Sequence, residues 1–194
     1  MWSGAILAGG QARRFGGRDK GSLVVEGQSI LERQLAVLAA LTDDILVVGA
    51  PDAPYPARPV PDLVPGCGPL GGLHAALDRA RGDATIVIAC DMPYLSAPLL
   101  EHLLMLTSDA DAVVPRTARG YHPLCAAYTR ACLAPAAARL SEGRLKMVEL
   151  FDDVRVRVVT AEEIAAFGDG DRLLTNVNTP AEYVGLEALH GHQL

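Results

Sequence analysis

The sequence lacks the features that mark several large classes of protein. No stretch of 18 consecutive apolar residues occurs, so the sequence predicts no membrane-spanning helix. Lysine and arginine number 17 against 23 aspartates and glutamates, and they cluster in one short loop only, which argues against a dedicated nucleic-acid binder. The N-terminal segment has neither the charged region nor the long apolar region of a secretory signal. We therefore expect a cytoplasmic protein that binds neither membranes nor nucleic acids.

The four cysteines are sparse and far apart. They form no C-x-x-C pair, so the sequence predicts neither a zinc site nor a disulfide framework, and we expect buried, reduced thiols at Cys67, Cys90, Cys125 and Cys132. Half of the 194 residues are hydrophobic, which is enough for a substantial core in one domain.

Short apolar runs alternate with helical patterns along the chain, which is typical of an α/β fold with a largely parallel sheet. The run Ala84–Ala89 is the most strand-like and is predicted to lie near the middle of the sheet, buried on both faces. The Pro-rich stretch 51–69 is predicted to be a surface loop. The acidic pairs Asp152-Asp153 and Glu162-Glu163 are predicted to be solvated. Strands are expected at 4–8, 44–48, 84–89, 112–115, 124–128 and 154–159, and helices at 29–41, 71–81, 96–106, 130–141, 147–151 and 180–190.

The first predicted strand leads into a loop, residues 7–21, that contains five glycines and four basic residues. Glycines let backbone N–H groups approach anionic oxygens, and fixed cations neutralise charge at phosphorus. Ligands bind at the carboxyl ends of strands in open α/β sheets, so we expect a polyphosphate here. The alternative is a flexible connector with an incidental basic patch. Neither the P-loop pattern nor the dinucleotide-binding pattern fits, because Lys20 stands between Asp19 and Gly21 and no helix opens directly after Gly10.

Asp91 follows directly after the most buried predicted strand. Its carboxylate is therefore expected at the carboxyl edge of the sheet, beside the phosphate loop. Mg²⁺ takes one or two carboxylates together with substrate phosphate oxygens and water, so Asp91 is a candidate metal ligand. The alternative is that Asp91 is only a turn residue or a helix cap.

Five short motifs occur in an order that covers nearly the whole chain. The spacing L-A-G-G-x-x-x-R-F-G-G-x-D-K begins at Leu7, and the others are Gly68–Gly72, Ala89–Pro93, His122–Leu124 and Asn176–Pro180. Together they resemble the motifs of nucleotidyltransferases, and most closely those of the molybdenum cofactor guanylyltransferase family. The resemblance implies a Rossmann-like three-layer nucleotidyltransferase fold with a mostly parallel mixed sheet. It also implies a single domain, with a nucleotide-binding half at about 1–110 and an acceptor-binding half at about 111–194.

The resemblance assigns the nucleotide side of the site position by position. It implies that Asp91 binds Mg²⁺ and the nucleotide, that Arg14 and Lys20 hold phosphates and join Asp91 as catalytic residues, and that Asp62 contacts the base. The remaining nucleotide-binding positions that it implies are Leu7, Ala8, Gly9, Gly10, Gly17, Gly68, Pro69 and Leu70. The Gly9-Gly10 pair favours guanine, whereas Gly49-Ala50 departs from the family, which often has an asparagine after the second strand.

The acceptor side is implied at His122, Asn176 and Asn178. On an extended chain Asn176 and Asn178 face the same side, and the alternative for either is an Asx-type cap of a helix at Pro180. The implied reaction transfers GMP from GTP to Mo-molybdopterin and releases pyrophosphate. Two alternatives stay open: a cytidylyl or sugar-phosphate nucleotidyltransferase, and a non-catalytic nucleotide-binding adaptor. Partner proteins that receive the labile cofactor, a molybdoenzyme or a delivery protein, are also expected.

Overall fold

A computed structural model of the chain describes residues 1–8, 23–50, 54, 56–64 and 66–177. Ten strands and six α-helices lie in these ranges. The strands are β1 (Trp2–Leu7), β2 (Val24–Val25), β3 (Gln28–Ser29), β4 (Ile45–Val48), β5 (Arg58–Val60), β6 (Ala84–Ala89), β7 (Ala112–Thr117), β8 (Gly120–Tyr121), β9 (Cys125–Thr129) and β10 (Val156–Val159). The helices are α1 (Ile30–Ala39), α2 (Gly68–Arg79), α3 (Ala97–Met105), α4 (Leu133–Ser141), α5 (Ala161–Ala165) and α6 (Gly170–Leu173). Short 3₁₀ helices precede α4 at Arg130–Cys132 and follow it at Met147–Asp152.

One mixed sheet organises the protein, with the strand order β10-β7-β9-β6-β1-β4-β5 and β8 paired to β7. Strands β5, β4, β1 and β6 run parallel to one another, and β10 is parallel to β7. Strand β9 is antiparallel to both of its neighbours, β6 and β7. The predicted α/β fold with a mostly parallel mixed sheet is confirmed, and β6 lies in the middle of the sheet with all six residues buried.

Two separate hydrophobic clusters cover the two faces of the sheet. Successive residues of β6 point to opposite faces, so Ile86 and Ile88 join the cluster with α1 and α3, whereas Val87 joins the cluster with α2 and α4. This arrangement gives the three layers that the sequence predicts. Among the described residues, no helix combines the length and the apolar character needed to cross a membrane.

The helix starts follow from local capping. Ser29 caps α1 through a capping box in which its hydroxyl accepts from the Glu32 N–H while the Glu32 carboxylate accepts from the Ser29 N–H. Ser96 caps α3 in the same way with a single bond, accepting from the Leu99 N–H. Both caps are the first residues of helices that the sequence predicts, at 29–41 and at 96–106.

Several predicted boundaries are wrong. The stretch 51–69 is not loop throughout, because β5 pairs with β4 within it, and α2 begins at Gly68 rather than at Gly71. The glycine motif therefore forms the first turn of a helix, with Pro69 inside that turn, where its missing N–H costs nothing. The predicted last helix at 180–190 lies outside the described residues.

Three residues of the acidic pairs, Asp152, Asp153 and Glu162, are exposed, as predicted, and Glu163 is half-buried and ion-paired with Arg157. Arg139 is 1% exposed, and Asp153 and Glu149 both accept from its guanidinium. A buried cation requires carboxylates around it, and these two residues supply them to Arg139.

All four cysteines are free, as predicted, and three of them are buried. Burial raises the pKa of Cys125 and of Cys132 to about 12, so both thiols are protonated at neutral pH. Cys67 is the exception to the prediction, since it is only half-buried.

Candidate active site at the carboxyl edge of the sheet

The parallel strands β1, β4 and β6 end at one edge of the sheet. Backbone hydrogen bonds continue past the strand ends there: the Ala8 N–H donates to the Val48 carbonyl at 2.9 Å, and the Cys90 N–H donates to the Leu7 carbonyl at 3.3 Å. Asp91 comes next in the chain, so its carboxylate lies at this edge, as the sequence predicts. The end of β1, which leads into the predicted phosphate loop, is its direct neighbour.

Asp91 is only 8% exposed and is held from a distant part of the chain. The Asn176 side-chain amide donates to Asp91 Oδ1 at 3.0 Å, and the Val177 N–H donates to the Asp91 carbonyl at 2.8 Å. Asn176 is 85 residues away in sequence. The resemblance placed Asn176 on the acceptor side, whereas the structure puts its amide on the carboxylate of the candidate metal ligand.

The glycine motif lies beside the end of β1. Gly68 has φ of +60°, a left-handed conformation that only glycine adopts at little cost, and it starts α2. A Cβ at Gly72 would lie 3.1 Å from Leu7 Cδ1, so α2 approaches β1 more closely than a larger residue would allow. The side chains of Leu7 and Leu70 are buried in the core, so these two residues can meet a nucleotide only through their backbone groups.

Asp62 lies two residues beyond β5 and next to the start of α2. Its Oδ1 accepts from the Val64 N–H at 3.2 Å, which forms a turn, and the same oxygen is 3.6 Å from the position that a Cβ of Gly71 would occupy. The structure thus places Asp62, Pro69 and the motif glycines together. Whether Asp62 contacts a base stays a prediction.

His122 lies on the other side of Asp91, in the segment that leads into β9. It lines a cavity of about 180 Å³ together with Met92, Tyr121, Pro123, Leu124, Cys125 and Asn176. The cavity shares Asn176 with the Asp91 site, which brings the predicted acceptor side against the predicted metal ligand. His122 Nε2 is 2.9 Å from the Thr117 hydroxyl oxygen. Burial, reinforced by the charge of Arg119, lowers the pKa of His122, so the imidazole is neutral at pH 7.

A larger cavity of about 370 Å³ lies on the side of α1, and no pattern in the sequence predicts it. Tyr94 lies on its wall, with the guanidinium carbons of Arg172 and Arg33 at 4.5 Å and 5.8 Å from the ring centre. Asp91 does not line this cavity. The candidate site is therefore the region at the strand ends, beside the smaller cavity.

Six predicted site residues lie outside the described residues. The phosphate-loop positions are five of them, and Asn178 is the sixth; the five are Gly9, Gly10, Arg14, Gly17 and Lys20. Their roles stay predictions. Within the described ranges, no cluster of three or more His, Cys, Asp or Glu side chains could hold a metal ion.

Comparison with known proteins gives a consistent result. The model of the MobA-like NTP transferase domain matches residues 4–157. A probable molybdenum cofactor guanylyltransferase from Pelotomaculum thermopropionicum is 34% identical over 185 residues, which cover 94% of this chain and 90% of that protein. The crystal structure of molybdopterin-guanine dinucleotide biosynthesis protein A from Archaeoglobus fulgidus has a TM-score of 0.83 at 25% identity and covers 98% of this chain and 99% of its own. A Mycobacterium tuberculosis protein solved as a complex with manganese shares the fold, with a TM-score of 0.65 at 20% identity over 95% of this chain and 96% of its own.

Proposed function

Since this chain belongs to the MobA-like NTP transferase family, we propose that it transfers GMP from GTP to the phosphate of Mo-molybdopterin and releases pyrophosphate. The relative at 34% identity is named a probable molybdenum cofactor guanylyltransferase, and the five motifs imply the same function. The chain is thus a nucleotidyltransferase, and the names of its relatives favour a guanine nucleotide over a cytosine nucleotide as its substrate.

One structural observation carries the proposal. The Asp91 carboxylate lies at the ends of β6 and β1, between the glycine motif on one side and the His122 cavity on the other. It accepts a hydrogen bond from the Asn176 amide, and the Asp91 backbone carbonyl accepts one from the Val177 N–H. Phosphoryl transfer needs little covalent chemistry from a protein, because positioning and charge neutralisation supply most of the rate. This arrangement supports the proposal, in which the glycine motif takes the donor, the His122 cavity takes the acceptor and Asp91 lies between them.

The donor set at this edge fits a magnesium ion. Asp91 offers a carboxylate oxygen, which is the kind of ligand that Mg²⁺ prefers, and substrate phosphate oxygens with water complete such sites in proteins that supply one or two carboxylates. A related fold has been solved with manganese, a divalent ion of similar ligand preference. The bound ion would neutralise charge at the α-phosphate. Asp91 is the residue of this chain that we assign to hold it.

The reaction needs no general base from the protein. An oxygen of the acceptor phosphate, already ionised at neutral pH, attacks the α-phosphorus, and the bond from that phosphorus to the oxygen bridging it to the β-phosphorus breaks. Pyrophosphate leaves with the electron pair of the broken bond. In this scheme the backbone at Leu7 and Ala8 and the first turn of α2 orient the nucleotide, while neutral His122 offers a hydrogen bond to the acceptor. Arg14 and Lys20 are assigned to the departing pyrophosphate.

The first experiment is calorimetric titration of the protein with GTP and with CTP, each in Mg²⁺ and in EDTA. Metal-dependent binding of GTP with little binding of CTP supports the proposal. Preference for CTP would move the protein to a cytidylyltransferase function with the same fold. Absence of binding for both nucleotides would refute the nucleotide site itself.

The second experiment separates an enzyme from a nucleotide-binding adaptor. Pyrophosphate release is measured with GTP and Mo-molybdopterin for the wild type, for Asp91→Asn and for Asp83→Asn. Asp83 lies at the opposite end of the same strand, where it pairs with the N-terminal amine, so it controls for a lost carboxylate next to β6. We expect Asp91→Asn to lower kcat by about 10³-fold, comparable with the loss of one preorganised electrostatic group, and Asp83→Asn to leave kcat unchanged. Equal activities would show that Asp91 has no part in catalysis.

Delivery of the product to a molybdoenzyme or to a carrier protein stays a prediction. A co-purification of the wild type with Mo-molybdopterin and GTP bound, set against the Asp91→Asn variant, would test whether partner binding depends on the loaded site.

A further inference from the structure

Gln34 is a buried amide in the apolar face of α1. It is 1% exposed, and it stands four residues after Ile30 and four before Leu38, both of which are fully buried. Positions four apart share one face of a helix, so Gln34 occupies a core position. A buried amide costs about 1 to 3 kcal/mol unless its polar atoms are hydrogen-bonded, so a glutamine at this position requires partners.

The partners of Gln34 are the two carbonyls that enclose Asp91. Its Nε2 donates to the Ala89 carbonyl at 2.7 Å and to the Met92 carbonyl at 3.0 Å, which uses both hydrogens of the amide nitrogen. Ala89 is the last residue of β6, and Met92 follows Asp91 directly. The neighbouring side chain acts on the same segment, since Arg33 Nε donates to the Pro93 carbonyl at 3.1 Å. Helix α1 therefore holds the turn 89–93 through contacts separate from those of residues 176 and 177.

Backbone groups make further hydrogen bonds to this turn. The Ala89 N–H donates to the Leu124 carbonyl at 2.9 Å, and the Cys90 N–H donates to the Leu7 carbonyl at the longer distance of 3.3 Å. Backbone bonds of this kind persist in any substituted protein that keeps the fold. The two bonds from Gln34 can be removed by one substitution, which leaves two buried carbonyls without their donor.

We propose that Gln34 is a positioning residue for the reaction: by holding the carbonyls of Ala89 and Met92 it fixes where the Asp91 carboxylate lies. The inference rests on the proposed function, because it assigns a task to Asp91. A displacement of about 1 Å at a reacting group can lower a rate by about 100-fold, so the loss of both bonds is expected to act on kcat. Nucleotide binding, which we assign to β1 and α2, is expected to change little.

The test compares Gln34→Met with Ser3→Ala. Methionine keeps the length and volume of glutamine but donates no hydrogen bond. Ser3 is a matched control, since it is 0% exposed and lies at the amino end of β1. Its hydroxyl donates to the Asp44 carboxylate at 2.6 Å and accepts from the Gly82 N–H at 2.8 Å. Both variants lose two buried hydrogen bonds, but only Gln34→Met loses them near Asp91.

We expect Gln34→Met to lower kcat by about 10- to 100-fold with KM for GTP within about threefold of the wild type. Ser3→Ala is expected to keep kcat within about twofold even if it lowers the thermal midpoint as much. Hydrogen exchange supplies a readout without turnover: the amides of Ala89, Cys90 and Val177 should exchange faster in Gln34→Met and at the wild-type rate in Ser3→Ala.

Each outcome decides the proposal. Gln34→Met with the kcat of Ser3→Ala and unchanged exchange at residues 89, 90 and 177 would overturn it. A wild type that releases no pyrophosphate would refute the proposed function, and the exchange measurement would then decide the positioning role alone. If Gln34→Met does not fold, Gln34→Leu removes the same donor, and a kcat equal to that of the wild type with unchanged exchange would overturn the proposal.

Discussion

Substitution of Asn176 by alanine tests the contact that joins the end of the described chain to the turn after β6. The substitution removes the amide that donates to Asp91 Oδ1 at 3.0 Å. A hydrogen bond to a charged group contributes about 1.5 to 3 kcal/mol, and a tenfold change in rate corresponds to about 1.4 kcal/mol. If the carboxylate is misplaced in the transition state by the loss, kcat falls by about 13-fold at the lower value and by about 160-fold at the upper one.

The assay is pyrophosphate release at saturating GTP and Mo-molybdopterin. The control is Thr175→Ala, which removes a hydrogen bond in the adjacent residue, from its hydroxyl to the Asp171 carbonyl at 2.5 Å, without touching Asp91. We expect Thr175→Ala to retain the wild-type kcat. A kcat for Asn176→Ala within twofold of that for Thr175→Ala would refute the reasoning, because the contact with Asp91 would then have no catalytic consequence.

Gly72→Val should weaken GTP binding by about tenfold and destabilise the fold by about 1 to 3 kcal/mol, because even a Cβ would crowd Leu7. Calorimetric titration with GTP and thermal unfolding measure the two effects. Gly72→Ala should give values of both between those of Gly72→Val and the wild type. His122→Phe should raise KM for the acceptor by about fivefold and leave KM for GTP unchanged, since it removes a hydrogen-bonding ring from the cavity wall; equal effects on both would contradict the assignment. Burial alone would raise the pKa of Asp44, but hydrogen bonds from the Ser3 hydroxyl, the Arg81 N–H and the Arg58 guanidinium outweigh it and lower that pKa. The ionised carboxylate therefore stabilises the fold above about pH 4, and this stability is lost as pH falls through the folded-state pKa; urea unfolding at pH 6 and pH 3 should show a smaller acid loss for Asp44→Asn.

Local patterns in the sequence account for the elements that were predicted well. The run Ala84–Ala89 has no polar residue after Thr85, and this is typical of a strand covered on both faces. The capping box at Ser29 and Glu32 needs only residues three apart. Both signals lie within a few residues, so neither depends on knowing the fold.

The wrong predictions depend on tertiary contacts. The start of α2 was placed too late because glycines disfavour helices on their own, whereas here Gly72 is required by the close approach to Leu7. Strand β5 was missed because Pro59 lies in it, and proline is tolerated there because β5 is at the edge of the sheet. The sequence also gives no sign that Arg139 is buried, since its carboxylate partners come from residues that follow α4.

The candidate site also combines residues that the sequence predicted with contacts that it did not. Asp91 and the His122 segment were predicted from motifs, and the structure places both at one edge. The contacts that hold Asp91 were not predicted, because Asn176 and Gln34 approach it from 85 and 57 positions away in the chain, and no local pattern encodes such a pairing. Candidate substrate-binding residues can be proposed from motifs, whereas the residues that hold them in place are visible only in the fold.

The reversed direction of β9 explains why donor and acceptor sides can meet. If β9 ran parallel to β6, the segment before it, with His122 and Pro123, would enter at the amino edge of the sheet, at the far end of β6 from Asp91. Because β9 is antiparallel, Cys125 pairs with Ile88 and the segment before it lies beside the carboxyl end of β6. The Ala89 N–H donates to the Leu124 carbonyl at 2.9 Å, which fixes this segment next to the turn of Asp91. One reversed strand thus brings the His122 segment to the same edge as Asp91. Under the proposed function, this edge would hold both substrates, as an in-line transfer between two phosphates requires.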